Sequence, residues 1–224
     1  MTVLGLVFSS LASAQGMGLS AGASTLGFGL DLYGGISERM TGRIGFNDFT
    51  YNKSISSDNI DYAGSLKWQS LHAIADWYPW AKDFRLSGGL MYNDNKASLN
   101  AKPSASATYT VNGHPYSVAN VGSLSGEMNF DHFSPYLGIG WGNPVAKDKG
   151  FGFVADIGVL YQGTPKVTLN ATCSAALLSA PGGAAICTSL KSDTAVESTK
   201  LKSDLNKDQY KFYPVISLGV SYRF

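Results

Sequence analysis

The segment 212–224, FYPVISLGVSYRF, decides how the chain is read. Its even positions, Phe212, Pro214, Ile216, Leu218, Val220, Tyr222 and Phe224, are all apolar, whereas Ser217, Gly219, Ser221 and Arg223 make the other face small or polar. A period of two is the mark of a strand with one greasy face. Thirteen residues of it, with an aromatic residue last, are long for a soluble sandwich and suit a strand that crosses lipid.

The same alternation recurs upstream. Leu26, Phe28, Leu30 and Leu32 share one face; so do Phe84, Leu86, Gly88, Leu90 and Tyr92; Phe133, Pro135, Leu137, Ile139 and Trp141; and Phe153, Ala155, Ile157, Val159 and Tyr161. Segments of about ten residues with one lipid-compatible face are the signature of a transmembrane barrel. Thr41–Tyr51 and Tyr62–Tyr78 fit less cleanly, and Asp48 suggests a bulge in the first. A short strand over Gly16–Gly22, turning at Ala23–Thr25, brings the count to eight, the even number that an antiparallel barrel with both ends on one side requires. Connections alternate in length: Gly35–Met40, Pro79–Asp83 and Asn143–Gly150 read as periplasmic turns, and Lys53–Ile60, Lys102–Ser123 and Thr172–Asn206 as long extracellular loops. The expected fold is all-β, an eight-stranded antiparallel transmembrane barrel.

Composition agrees. Of 224 residues only 15% are charged, while Gly (26), Tyr (12) and Phe (11) are abundant. Lys plus Arg (17) and Asp plus Glu (16) nearly cancel, so no basic footprint attracts nucleic acid. Phe84 and Tyr92, Phe133 and Trp141, and Phe153 and Tyr161 lie eight residues apart on one face, a climb of about 20 Å against the ~25 Å apolar band between aromatic girdles. Residues 1–14, an apolar run ending in Ala12-Ser13-Ala14, read as an export signal without its basic start, leaving 15–224 as the barrel domain. The localisation expected is the bacterial outer membrane, with outer-membrane lipid and lipopolysaccharide as partners. Export permits Cys173 and Cys187 to pair, and no further ligands stand nearby to make them a zinc site. No metal or other cofactor is expected.

If the greasy faces meet lipid, the opposite faces line the lumen. They carry Asp31, Asp76 and Asp156 against Arg43, Arg85 and Arg223, all near periplasmic turns or the carboxyl terminus. Such charges in a narrow tube must pair, either as a salt-bridged plug or as a constriction that binds zwitterions. Inward glycines, Gly27, Gly29, Gly45, Gly89, Gly138, Gly140, Gly152, Gly158 and Gly219, leave room for long side chains or water. His72 and His132 are expected inside, and His114 in a loop. His132, Ser134 and Glu127 are the one set that could supply a base, a nucleophile and an orienting carboxylate, and lumen-lining roles account for them as well; no enzyme is expected. Ser189–Asn206, rich in Lys, Asp and Glu, reads as a short surface helix.

The ending Ser217-x-Gly219-x-x-Tyr222-x-Phe224 resembles the signal that the outer-membrane barrel assembly machinery recognises. The strings Pro135–Gly140 and Tyr161–Val167, and the ending around Tyr213-Pro214-Val215, resemble the carbapenem-susceptibility-associated outer-membrane proteins (CarO type), and more broadly the outer-membrane protein W class. The resemblance runs from about residue 26 onward and implies passive, narrow passage or binding of small polar solutes, such as amino acids and carbapenems. The alternative is a closed barrel serving envelope integrity or surface contact. The cysteine pair and the shorter first strand depart from the pattern, so solute specificity does not carry over.

Overall fold

A computed structural model describes residues 16–57, 60–80, 82–103, 108–145 and 148–224. The leader expected at 1–14 lies outside them. Thirteen strands occur among the described residues: β1 Met17–Ser24, β2 Gly27–Ser37, β3 Met40–Ser57, β4 Ile60–Trp77, β5 Phe84–Asn93, β6 Lys96–Pro103, β7 Thr108–Val111, β8 His114–Ser117, β9 Val121–Asn129, β10 Phe133–Trp141, β11 Gly150–Tyr161, β12 Lys166–Cys173 and β13 Phe212–Arg223. Eight of them close an antiparallel barrel in the order β1-β2-β3-β4-β5-β10-β11-β13, with β13 returning to β1 from Gly18↔Arg223 to Ser24↔Ser217. Asp48 causes no bulge. It sits on the outer face in unbroken register opposite Gln69, whose side-chain amide donates to it at 2.9 Å.

The barrel is inverted relative to a soluble protein. Phe133, Phe151 and Phe153 are 73%, 76% and 82% exposed, while Asp76 and Arg85 are fully buried. Only hydrocarbon makes the first group comfortable, and only a packed lumen the second. Rings gather at two levels. Tyr92 meets Phe133 and Tyr161 meets Phe212 at the extracellular end; Phe84 meets Trp80 and Trp141, and Phe151 meets Tyr222, at the periplasmic end.

The long connections are more folded than expected, and the helix expected at Ser189–Asn206 is present over Gly183–Asp204. Of the segment expected as a loop at 53–60, residues 53–57 and 60 prolong the β3–β4 pairing, which runs from Met40↔Trp77 to Ser57↔Ile60. Beyond the barrel, β4 turns from β5 to β6, and β6-β9-β12 extend the sheet. The stretch 102–123 holds the β7–β8 hairpin, and 172–206 holds α1 Ala175–Ser179 and α2 Gly183–Asp204, with α3 Asp208–Lys211 leading into β13. These elements form a crown on the barrel. Tyr109, Val111, Tyr116, Val118, Val121 and Leu190 make its core, and the Cys173–Cys187 disulfide ties the end of β12 to α2. The helix lies against β12, where the Ser198 hydroxyl donates to the Val167 carbonyl at 3.1 Å. On the far side, β3 above Asp48 pairs with β4 alone among the described residues.

Candidate functional site

Inward-facing positions of the barrel stack in layers. Toward the extracellular side lies an apolar layer of Leu26, Ile74, Met91, Tyr136, Leu160 and Val215, all buried. Leu26 reaches it from the β1–β2 turn, which Thr25 pins to β13: its hydroxyl donates to the Pro214 carbonyl at 2.9 Å, and its carbonyl accepts from the Tyr213 hydroxyl at 2.7 Å. Gly138 and Gly158 give Tyr136 its place, since a Cβ on either would run into its ring.

Beneath this layer four charges from four strands meet. Asp156 of β11 accepts two hydrogen bonds from the Arg43 guanidinium, at 3.2 and 3.3 Å, and two from Arg85 Nη2, at 2.9 and 3.0 Å. Asp76 of β4 lies 3.3 Å from Arg43 Nε and 3.6 Å from Arg85 Nε, and accepts from the Ser87 hydroxyl at 2.5 Å. The Ser217 hydroxyl donates to Asp156 at 3.3 Å, and the Tyr33 ring stands 6.0 Å from the Arg43 guanidinium carbon. Each carboxylate is thus shared by both guanidiniums, and the quartet sums to zero charge. Gly140 leaves space for Asp156 and Arg85, where a Cβ would collide with both.

Asp31 and Arg223, grouped with these four in the sequence, are placed differently. Asp31 bonds His72 Nε2 at 2.5 Å across the gap left by Gly45 and accepts from the Ser20 hydroxyl at 3.2 Å; His72 continues to Asn47 at 3.5 Å. This chain borders the quartet through a cavity of about 50 Å³ lined by Asp31, His72, Asn47, Arg43, Tyr136 and Asp156, space for a few water molecules. Arg223 is a correction. It pairs in register with Gly150 and Gly18 at the periplasmic rim, while Asp156 is level with Ser217, six residues away along β13, about 20 Å. Its guanidinium instead donates to the Phe151 carbonyl at 3.3 Å. Of the other terminal residues, Gly219 faces inward against Val154, and Tyr222 and Phe224 meet edge to face on the outer rim.

The histidine set does not assemble. His132 lies outside the barrel, stacked on Tyr92 with Nδ1 3.0 Å from the Asn93 carbonyl; Ser134 donates to the Asp131 carbonyl, and Glu127 pairs with Lys96 at 2.8 Å on the crown. The aromatic belt claims His132 as a ring, which alternation alone does not reveal. His114 belongs to a clasp between hairpin and helix, where Asp193 of α2 binds its Nδ1 at 2.8 Å and accepts from Asn112 at 3.1 Å and from the Tyr116 hydroxyl. The Tyr116 hydrogen bond, followed by those of Asn112 and His114, holds the Asp193 carboxyl down at about 2; burial and this carboxylate push Tyr116 up to about 12.

The sequence matches no protein-family model and no curated protein. Among solved structures, the chain is similar to Acinetobacter baumannii CarO, at 22% identity and a TM-score of 0.55, over 92% of this chain and 97% of that one. It is similar likewise to A. baumannii CarO2, at 21% identity and a TM-score of 0.57, over 93% and 98%. With its lipid-compatible exterior, two aromatic girdles and closed eight-stranded ladder, the chain is an outer-membrane-type β-barrel with the fold of CarO.

Proposed function

We propose that this barrel passes small polar solutes, zwitterions foremost, through a lumen that Arg43, Asp76, Arg85 and Asp156 close at rest. The observation behind this reading is the balanced, buried quartet. Four desolvated charges are a poor way to stabilise a plug, because well-packed apolar residues of similar volume are often as good or better. Balanced charges do suit a solute carrying its own carboxylate and ammonium, which replaces one ion pair at a time without leaving a bare charge. The resemblance to CarO-type proteins extends the candidates to amino acids and to carbapenems, which also carry a carboxylate. Residues Ser217, Gly219, Tyr222 and Phe224 serve in this reading as the assembly signal, and the leader at 1–14 as the export signal.

The test is swelling of proteoliposomes in glycine and in glycolamide, a neutral solute of similar size. Faster entry of glycine is expected; equal rates for the two would remove the reading. The filled lumen and the folded crown favour a second reading, a closed barrel that anchors a surface module, and it predicts no flux above that of protein-free vesicles.

A further inference from the structure

Residues 142–145, which follow β10, do not hang into the periplasm. Pro144 is among the most fully buried residues of the chain, and its surroundings place it inside the barrel mouth. A Cβ added to Gly18, an inward-facing position of β1, would collide with the Pro144 carbonyl, and one on Gly16 with the Val145 carbonyl. Both positions lack a side chain where the turn folds in. The turn is also braced: the Gly142 amide donates to the Asp83 carbonyl at 2.9 Å, and the Val145 amide to Asn143 Oδ1 at 3.2 Å. It is also tied to the quartet, since Arg85 Nη1 donates to the Trp141 carbonyl at 3.4 Å and to the Gly142 carbonyl.

We propose that the Asn143–Val145 turn is a periplasmic stopper latched by Arg85. One guanidinium neutralises Asp76 and Asp156 with part of its fork and holds the backbone of the turn with the rest. A solute carboxylate that draws Arg85 off Asp156 also loosens Trp141 and Gly142, so the lumen and the mouth open together. This rests on the passage reading above and adds the device that regulates it.

Potassium chloride conductance in planar bilayers tests the stopper independently of solute preference. Gly18→Val places a side chain where the Pro144 carbonyl sits and should raise conductance severalfold, with folding checked by the gel shift on boiling. A second variant, Pro144→Gly, removes the ring that fills the mouth without placing any atom on β1, and should raise conductance severalfold as well. Unchanged conductance in folded Gly18→Val and in folded Pro144→Gly would overturn the stopper. Conductance that rises while glycine shows no advantage over glycolamide keeps the stopper and removes the solute reading. The glycine advantage with turn variants that change nothing does the reverse.

Discussion

In the barrel Phe133, Phe151 and Phe153 are exposed and Arg43, Asp76, Arg85 and Asp156 buried; in the crown the order is the ordinary one, with Tyr109, Tyr116 and Leu190 inside and Lys96, Glu127 and Lys166 outside. Both regions share a continuous sheet, because β4 takes part in each. A period of two therefore fixes which residues lie together on a face, and the surrounding solvent decides which face is the interior. Hydrocarbon selects bulky apolar residues outside and leaves the lumen free to hold charges; water selects the reverse a few residues further along the same strand.

The sharpest break of this comparison is Arg85→Ala. It leaves two buried carboxylates to Arg43 alone, and losing one member of such a group costs about 3–5 kcal/mol. Urea unfolding from lipid vesicles should show the loss in the barrel transition, with the proteolysis pattern of the crown unchanged. If the crown loosened equally, the two regions would be one cooperative unit.

The converse is Cys187→Ser. The sequence separation of 14 makes the disulfide worth about 3 kcal/mol by the chain-entropy estimate. Amide exchange across α2 should accelerate, while the barrel keeps its shift in gel mobility on boiling. A barrel that lost heat resistance as well would show that the crown holds the ladder closed.

The smallest expected effect is the pH response of the clasp. Asp193 sits at about 2 in the folded crown against an ordinary 3.8, so its contribution is complete above the unfolded value and is lost as pH falls through the folded one. Tyr116 sits at about 12 against 10.0, so its contribution is complete below 10 and is lost as pH rises through 12. Amide exchange in the β7–β8 hairpin should therefore be insensitive to this clasp between about pH 4 and 10 and change outside that window. Asp193→Asn should remove the acid edge and reduce the alkaline one, which burial of Tyr116 also supports; an acid edge that persisted would mean other groups fasten the hairpin.

The barrel strands were legible because lipid asks for a bulky apolar residue at every second position over nine or more residues. The crown strands obey the same period over three steps: Ala97, Leu99 and Ala101 in β6; Leu124, Gly126 and Met128 in β9; Val167, Leu169 and Ala171 in β12. Small residues between Lys, Ser and Asn read as loop, and nothing local shows that neighbouring strands cover them. For the lumen, alternation placed the charges inward, but their pairing depends on stagger between strands. That stagger puts Asp156 level with Ser217 and leaves Arg223 at the rim. His72 reaches Asp31 because Gly45 stands between them in register, a relation across three strands that no single segment displays. The buried Pro144 had no counterpart in the reading of Asn143–Gly150 as a plain turn.

One edge of the crown sheet, β12, is covered by α2 through Ser198, while the other, β3 above Asp48, has no strand beyond it among the described residues. Head-to-tail stacking through this sheet needs two open edges on it, and among the described residues the crown sheet offers one. Two copies meeting edge to edge would do so symmetrically, β3 on β3, and the contact would then be used up. At the crowded cell surface, an arrangement of this kind permits a pair and forbids a fibre.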